Sequence, residues 1–224
     1  MVHSDRFGRA IGLIASSGAC IFVDADRACI RPMRLVQLVV HWTDILACGY
    51  LGLELFLLAT RRGKVEAKSA DRGTIYAVWA LITGGCFAGF LLARQVRVFN
   101  WPVKSPIVCL AVLLLVSGIA LRIWAIRHLG RFFTVDVGIQ QGHQVVEDGP
   151  YRFVRHPSYS GSLLALVGVG FLTFNWLGLF LIITCTLLAY ALRIPVEEKA
   201  MLAQFGVQYA EYAARTKRLI PWIY

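Results

Sequence analysis

The sequence predicts an all-α integral membrane protein with five or six transmembrane helices, a C-terminal helical hairpin and a cytosolic amphipathic helix. Composition is the first observation behind this fold class. Of the 224 residues, 58% are hydrophobic and 16% are charged, whereas about a quarter of a soluble domain is charged. The mean hydropathy is +0.63. Arrangement is the second observation, because apolar runs approach or exceed the roughly 20 residues that a membrane span needs.

The formal net charge is +10, from 23 lysine and arginine residues against 13 aspartate and glutamate residues, and the positions of the basic residues account for this excess. They cluster at the ends of apolar runs, where lysine and arginine anchor helices and set their orientation. No stretch combines aromatic and basic residues on a soluble face, so the sequence argues against a nucleic-acid partner. The cysteines are scattered, mostly within apolar runs, without metal-ligand or redox spacing, and we expect them to be small buried hydrophobes: Cys20, Cys29, Cys48, Cys86, Cys109 and Cys185.

Residues 1–34 form an N-terminal segment whose role the sequence leaves open. Residues 10–23 are apolar but shorter than a full span. The charged start and small residues resemble a signal peptide, yet Asp24 and Asp26 stand where a cleavage site needs small residues. A short or tilted sixth span, and sequence lying upstream of the true start, are the alternatives.

Three spans are predicted next, at residues 35–60, 74–93 and 106–126. The first contains His41, Asp44 and Glu54. His41 and Asp44 stand near its start, where the membrane interface accommodates them. Glu54 lies deeper, and an ionisable side chain inside a membrane is by default a functional hypothesis.

A polar segment at residues 128–159 separates these spans from the C-terminal ones, and its varied composition favours an ordered loop that covers a ligand. Residues 162–193 are apolar, too long for one span and interrupted at Asn175. They predict a hairpin of two short helices, at 162–174 and 177–192. Beyond it, one apolar helical face is predicted from four residues at spacings of three or four: Leu202, Phe205, Tyr209 and Tyr212.

With five spans, most of the 23 lysine and arginine residues fall on the side that carries the 128–159 segment and the C-terminus. The positive-inside rule therefore predicts that this side is cytoplasmic. The localisation expected from the sequence is a multi-pass protein of the inner or plasma membrane.

The stretch of greatest chemical interest is residues 149–161, where arginine, histidine, tyrosine and serine side chains stand between apolar segments. Pro157 biases His156 away from helical geometry, so a fixed loop is expected to lead into a helix near Ser158. A helix start suits an anionic or oxygen-rich ligand. The alternative interpretation is a cationic loop at the membrane surface.

A second group follows the hairpin, with Arg193 at its end and Glu197 and Glu198 after it. Arg193 and Glu197 are four residues apart and share a helix face, which in the simplest interpretation is a stabilising ion pair. At the point where a membrane helix emerges, the arginine can instead hold a carboxylate by two hydrogen bonds. The glutamate can bind ribose hydroxyls or an ammonium group. Pro195 lies between them and is expected to kink or restart the helix.

Four motifs follow one another in a fixed order in the second half of the chain: Gly149-Pro150-Tyr151, then Arg155-His156-Pro157-Ser158-Tyr159-Ser160-Gly161, then Arg193 with Glu197-Glu198, then Phe205-Gly206 with Tyr209 and Tyr212. In this order they resemble the isoprenylcysteine carboxyl methyltransferases and the wider set of integral membrane methyltransferases. The resemblance extends from about Thr134 to the C-terminus, and it does not include the N-terminal third.

The resemblance implies S-adenosylmethionine as the cofactor, bound on the cytosolic side. It implies the following cofactor contacts: His143, Gln144, Val145, Val146, Tyr151, His156, Pro157, Ser158, Tyr159 and Glu197, with Asp136 at a further position whose residue type differs from the family's. It also implies that Arg193 binds the substrate carboxylate and is catalytic. Residues 129–224 would form the catalytic methyltransferase region, and residues 35–128 the transmembrane helices that shape a lipid-side cavity.

The function expected from the sequence is methyl transfer from S-adenosylmethionine to a lipophilic acceptor, above all the carboxylate of a prenylcysteine-like substrate. Such a carboxylate is ionised at neutral pH and needs no strong base. An amine or thiol acceptor must lose a proton, and the candidate bases are then His156, His143 and Tyr159. The expected partners are a lipophilic or lipidated substrate and membrane lipids, and the histidines lack the companions of a metal site.

Four alternatives stay open at this point. Two are methyltransferases of the same architecture, acting on a phospholipid amine or on a thiol. A third is a membrane reductase with a related C-terminal region, which would bind a nicotinamide cofactor. The last is a small membrane binding or transport protein without enzymatic activity, in which Arg193 and Glu197 form a structural pair.

Overall fold

The computed structural model of the protein describes residues 45, 48–50, 52, 54, 56, 72–102, 104–133 and 145–221. Its backbone is helical at the described positions between 45 and 56. Five α-helices follow: α1 at Arg72–Gln95, α2 at Ser105–Leu129, α3 at Pro157–Phe171, α4 at Trp176–Phe205 and α5 at Val207–Arg215. Among the described residues there is no β-strand, only two isolated bridges. The predicted all-α fold is confirmed.

Three helices are long and apolar enough to cross a membrane, judged among the described residues by length and composition alone: Thr74–Gln95, Ser105–Leu129 and Trp176–Phe205. The first two correspond to the spans predicted at residues 74–93 and 106–126. The span predicted at residues 35–60 lies mostly outside the described residues, as do His41 and Asp44. The protein is therefore a multi-pass membrane protein.

Glycines let α2 and α3 pack with their backbones in contact. A Cβ atom on Gly118 of α2 would collide with the backbone of Ala165 in α3. A Cβ on Gly161 of α3 would lie 2.6 Å from the Arg122 backbone nitrogen. Such close approach is how small residues hold membrane helices together. The core beside this contact includes Ala111, Leu115, Ala165, Leu166 and Val169.

The hairpin turn lies at residues 172–175, as the sequence predicts, and Asn175 organises it. The Asn175 side chain accepts a hydrogen bond from the Gly178 backbone N–H at 3.0 Å, which caps α4. Its amide nitrogen donates to the Val96 carbonyl at 3.0 Å and to the Asn100 side chain at 2.6 Å. The buried amide thereby joins the α3–α4 turn to the chain between α1 and α2. The first turn of α3 and the last turns of α4 lie at the opposite end of the hairpin.

Two details of the C-terminal half differ from the sequence prediction. The second hairpin helix was expected over residues 177–192, yet α4 continues through Pro195 to Phe205. A proline removes one helix hydrogen bond, and the residues after it are mostly good helix formers that continue the helix up to Gly206. There the backbone turns at a positive φ of 52°. This turn divides the predicted apolar face, so that Tyr209 and Tyr212 are buried on α5 while Leu202 on α4 is exposed.

Substitution of Gly118 by alanine tests the backbone contact between α2 and α3. We expect Gly118→Ala to lower the melting temperature of the detergent-solubilised protein, because a forced overpacking costs about 1–3 kcal/mol. Gly84→Ala is the matched control, since a Cβ there meets nothing within 4 Å. Equal melting temperatures for both variants would show that the glycine contact is not needed.

Candidate functional site

Glu197 lies at the centre of a polar cluster at the end of the hairpin opposite Asn175. Its Oε1 accepts a hydrogen bond from the Tyr159 hydroxyl at 2.5 Å and another from Arg193 Nε at 2.9 Å. His156 Nδ1 lies 3.6 Å from its other oxygen. The loop before α3, the first turn of α3 and the end of α4 thus meet at one carboxylate.

Arg193 is buried, with 1% of its surface exposed. Because α4 stays helical through Pro195, Arg193 and Glu197 share one face and form the pair expected from their spacing. Arg193 Nη1 also donates to the Thr74 hydroxyl at 2.9 Å, near the start of α1. A buried arginine is tolerated only when it is paired, and here the carboxylate supplies the opposite charge.

Three aromatic rings stack beside this carboxylate. The His156 and Tyr159 ring centroids are 5.7 Å apart, and those of Tyr159 and Tyr190 are 4.8 Å apart. Within the described part of the chain, the buried Tyr190 hydroxyl and His156 Nε2 make no well-aligned hydrogen bond, although Nε2 lies 3.5 Å from a Glu198 carboxylate oxygen. Unsatisfied buried polar atoms are rare in folded proteins, and their presence here indicates groups available to a ligand.

Glu198, the next residue, anchors the C-terminal tail to the loop before α3. One oxygen accepts from Arg155 Nε at 2.8 Å and the other from Arg218 Nε at 2.9 Å. The backbone N–H groups of Arg155 and His156 donate to the carbonyls of Lys217 and Arg218 at 2.7 and 3.0 Å. The tail at residues 216–219 therefore lies along the loop and fixes the position of His156.

The turn that precedes this loop packs on the end of α2. Gly149 has a φ of 55°, and a Cβ there would lie 2.6 Å from the ring of His128. His128 Nε2 lies 2.8 Å from an Asp148 carboxylate oxygen, and this hydrogen bond lowers the pKa of Asp148. Burial raises the pKa of Tyr212, whose hydroxyl donates to the Tyr151 carbonyl at 2.8 Å. At neutral pH that hydroxyl keeps its proton, so the contact with α5 persists.

Four of the residues singled out in the sequence come together in this cluster: His156, Tyr159, Arg193 and Glu197. The others lie around it or elsewhere. Pro157 is buried as the first residue of α3, and Ser158 is buried beside α2. The Tyr151 hydroxyl lies 3.4 Å from the Ala125 carbonyl of α2. Val145 and Val146 are half-buried, whereas three residues lie outside the described ones: Asp136, His143 and Gln144.

Sequence reasoning missed a second polar cluster around Arg122 of α2. Arg122 Nη2 bonds a Glu54 carboxylate oxygen at 2.5 Å, and Nη1 lies 3.1 Å from both the carbonyl and the hydroxyl of Ser158. The Tyr50 hydroxyl donates to Glu54 at 2.8 Å and lies 2.7 Å from the Ser162 hydroxyl. The available signal was an arginine within an apolar span, opposite the glutamate that the sequence did single out.

Metal ligands are not grouped in the part of the chain that the structure describes. No set of three or more histidine, cysteine, aspartate or glutamate side chains there is placed to hold an ion. The charges of the cluster pair with one another, as in the contacts of Glu197 with Arg193 and His156.

Comparison with known proteins identifies a family match over most of α2, α3 and most of α4. Residues 110–203 match the model of the isoprenylcysteine carboxyl methyltransferase (ICMT) family. Protein-S-isoprenylcysteine O-methyltransferase B of Arabidopsis thaliana is 35% identical over 112 residues, which are 49% of this chain and 57% of that protein. Methanethiol S-methyltransferase 1 of Bradyrhizobium diazoefficiens is 35% identical over 72 residues, which are 32% of this chain and 24% of that protein.

A solved structure shares the fold. The structure of the eukaryotic intramembrane Ras methyltransferase ICMT aligns with a TM-score of 0.53 and 23% sequence identity. The alignment covers 68% of this chain and 54% of that one. The chain thus spans less than two thirds of the length of these relatives. The family match confirms the resemblance that the sequence motifs indicate.

Proposed function

We propose that this chain is a membrane methyltransferase, because residues 110–203 match the model of the isoprenylcysteine carboxyl methyltransferase family. It transfers a methyl group from S-adenosylmethionine to a lipophilic acceptor, above all the carboxylate of a prenylcysteine-like substrate. The observation that carries this proposal is the buried Arg193–Glu197 pair, which lies beside the His156, Tyr159 and Tyr190 rings at the end of a membrane helix. Residues 129–224 then form the catalytic region, and residues 35–128 shape the lipid-side cavity.

The residues at the cluster fit S-adenosylmethionine. Its sulfonium and ammonium charges suit aromatic faces and a carboxylate, which the stacked Tyr159 and Tyr190 rings and Glu197 provide. The Tyr190 hydroxyl, which makes no hydrogen bond among the described residues, and His156 Nε2 offer hydrogen bonds to its polar groups. When bound, this cofactor supplies an electrophilic methyl group. Further contacts are proposed from the family resemblance alone, at Tyr151, Pro157 and Ser158 near the cluster, at Val145 and Val146 before it, and at Asp136, His143 and Gln144 outside the described residues.

Arg193 is proposed to bind the acceptor carboxylate. A carboxyl group with an ordinary pKa of about 4 is already ionised at neutral pH. Catalysis therefore requires the acceptor to be oriented and water to be excluded, rather than a proton to be removed. The guanidinium is nearly inaccessible to water, and its planar set of N–H donors matches a carboxylate. Glu197 orients this guanidinium through Nε, and Thr74 does so through Nη1.

A thiol acceptor is the second candidate, and the match to a methanethiol S-methyltransferase favours it. A thiol must lose its proton before transfer, because the thiolate is the nucleophile. His156 and Tyr159 are then the candidate bases among the described residues. A phospholipid amine acceptor would make the same demand for a base.

The orientation of the protein in the membrane is proposed from the positions of its basic residues. The end of the helices that carries His156 and the C-terminal tail also carries Arg127, Arg152 and Lys217, and the positive-inside rule predicts that this end is cytoplasmic. S-adenosylmethionine made in the cytoplasm then reaches the site directly.

Cysteine accessibility tests this orientation. In a variant without the native cysteines, Arg152→Cys should be labelled only after the membrane is permeabilised. Val98→Cys, which is exposed in the chain between α1 and α2, should be labelled in intact cells. The two residues lie at opposite ends of the helices, and each is the control for the other. The reverse labelling pattern would contradict the cytoplasmic site.

Cofactor identity is tested by thermal stabilisation. We expect S-adenosylhomocysteine to raise the melting temperature of the detergent-solubilised protein, since a ligand that binds only the folded state stabilises it. The shift should be smaller in His156→Ala and in Tyr159→Phe. Stabilisation by NADPH, without any by S-adenosylhomocysteine, would indicate the reductase instead.

Acceptor identity and the role of Arg193 are tested together by transfer of a labelled methyl group. The purified protein should methylate a prenylcysteine carboxylate in preference to phosphatidylethanolamine or a small thiol. Arg193→Ala should lower transfer roughly thirty- to several-thousand-fold, the effect of losing a charge-assisted contact worth about 2–5 kcal/mol. Arg193→Lys should recover only part, because an ammonium lacks the planar donor set.

Glu197→Gln distinguishes the cofactor site from the acceptor site. It should weaken the binding of S-adenosylhomocysteine directly, whereas Arg193→Ala should leave that binding largely intact. Calorimetry measures the affinity, and label transfer measures the turnover. If both substitutions have equal and mild effects on the two quantities, the pair is structural. Preferred methylation of the thiol would replace the carboxyl acceptor with the second candidate.

A further inference from the structure

We infer that the buried Glu54–Arg122 pair positions the first turn of α3 for methyl transfer. Arg122 is a positioning residue here, because it acts through Ser158 and Tyr159 rather than through contact with the reacting atoms. This inference rests on the proposed function, and it assigns a role to two charged residues that lie outside the cluster around Glu197.

The guanidinium of Arg122 contacts the first turn of α3. One nitrogen, Nη1, lies 3.1 Å from both the carbonyl oxygen and the hydroxyl of Ser158, the second residue of that helix. The other, Nη2, bonds Glu54, which is 5% exposed. The carboxylate thus fixes the guanidinium in one orientation, and the guanidinium fixes the Ser158 backbone and side chain.

The helix backbones are close enough for this contact to be short and rigid. Gly161 of α3 packs directly on the Arg122 backbone, since a Cβ at Gly161 would lie 2.6 Å from the Arg122 nitrogen. The arginine side chain therefore passes along α3 to reach Ser158. Glu54 is held in turn by Tyr50, whose hydroxyl also contacts Ser162 one turn further along α3. Two points of α3 are thereby tied to the same ion pair.

Tyr159 connects the first turn of α3 to the cluster around Glu197. It follows Ser158 in the chain, its hydroxyl donates to Glu197 at 2.5 Å, and its ring stacks with those of His156 and Tyr190. A shift of the first turn of α3 would move this ring and the hydrogen bond together. Reactions that depend on orientation lose rate steeply when a group moves by about 1 Å.

If the ion pair only stabilised the fold, its loss would affect stability but not cofactor binding beyond that. A double substitution separates this structural role from the positioning role. Replacing a buried ion pair by apolar residues of similar size is often neutral for stability, whereas removing one partner leaves an unpaired buried charge. The variant carrying both Glu54→Leu and Arg122→Met should therefore recover much of the stability lost in Arg122→Met alone. It still lacks the donor to Ser158.

The experiment compares melting temperature, the dissociation constant of S-adenosylhomocysteine and the kcat of methyl transfer. In the double variant, the melting temperature should return toward that of the wild type. The dissociation constant should rise about tenfold or more, as expected when a charged hydrogen-bond donor is lost, and kcat should fall. KM for the lipophilic acceptor should change little. Ser158→Ala, which removes one of the two acceptors, should change affinity in the same direction but less.

Ser117→Ala is the matched control on α2. Its hydroxyl bonds the Leu113 and Leu114 carbonyls of its own helix, so all quantities should stay at the wild-type values. A stable double variant with wild-type affinity and kcat would overturn the positioning role while leaving the proposed function intact. If the wild-type protein itself does not bind S-adenosylhomocysteine, the proposed function fails, and the inference fails with it.

Arg122→Lys keeps the test decisive if the double variant does not fold. A lysine preserves the charge opposite Glu54 but cannot reach both Glu54 and Ser158 with the planar geometry of a guanidinium. The expected result is a folded protein with weakened S-adenosylhomocysteine binding. Unchanged binding in a folded Arg122→Lys protein would likewise overturn the inference.

Discussion

A buried guanidinium inside a membrane helix must be neutralised, and in this protein the neutralisation of Arg193 determines the arrangement of the site. Glu197 supplies the charge one helical turn later on α4. The same carboxylate oxygen accepts the Tyr159 hydroxyl, so the first turn of α3 is drawn to the end of α4. Since an unpaired charge would be costly in the protein interior, the residues that pair with Arg193 are held in place.

The helix packing makes that pairing attainable. Asn175 fixes the hairpin turn at one end, and the glycine contacts of Gly118 and Gly161 bring α2 and α3 together. The start of α3 and the end of α4 are consequently adjacent at the other end. The C-terminal tail then closes over the loop before α3 through Arg155, Glu198 and Arg218. These contacts hold the loop and the first turn of α3, which carry His156 and Tyr159.

Much of this arrangement follows from local sequence patterns. Apolar runs predict α1 and α2, the interruption at Asn175 predicts the hairpin, and the spacing of Arg193 and Glu197 predicts their pair. The rest depends on contacts between distant parts of the chain, which a single sequence does not reveal. Glu54 and Arg122 are each recognisable as charged residues within apolar runs, but their pairing is found only when α2 is placed beside Glu54. The end of α4 is set by Gly206, because good helix formers outweigh the hydrogen bond lost at Pro195.

The central claim is that Glu197, with the rings of His156, Tyr159 and Tyr190, forms the cofactor site beside an arginine reserved for the acceptor. The most direct measurement is the structure of the protein determined with S-adenosylhomocysteine bound. We expect the ligand to contact Glu197 and at least one of two buried atoms, His156 Nε2 and the Tyr190 hydroxyl. Arg193 should keep its hydrogen bond to Thr74 and face the sulfur atom. A ligand bound elsewhere, with the Tyr159–Glu197 and Arg193–Glu197 contacts unchanged, would contradict this account.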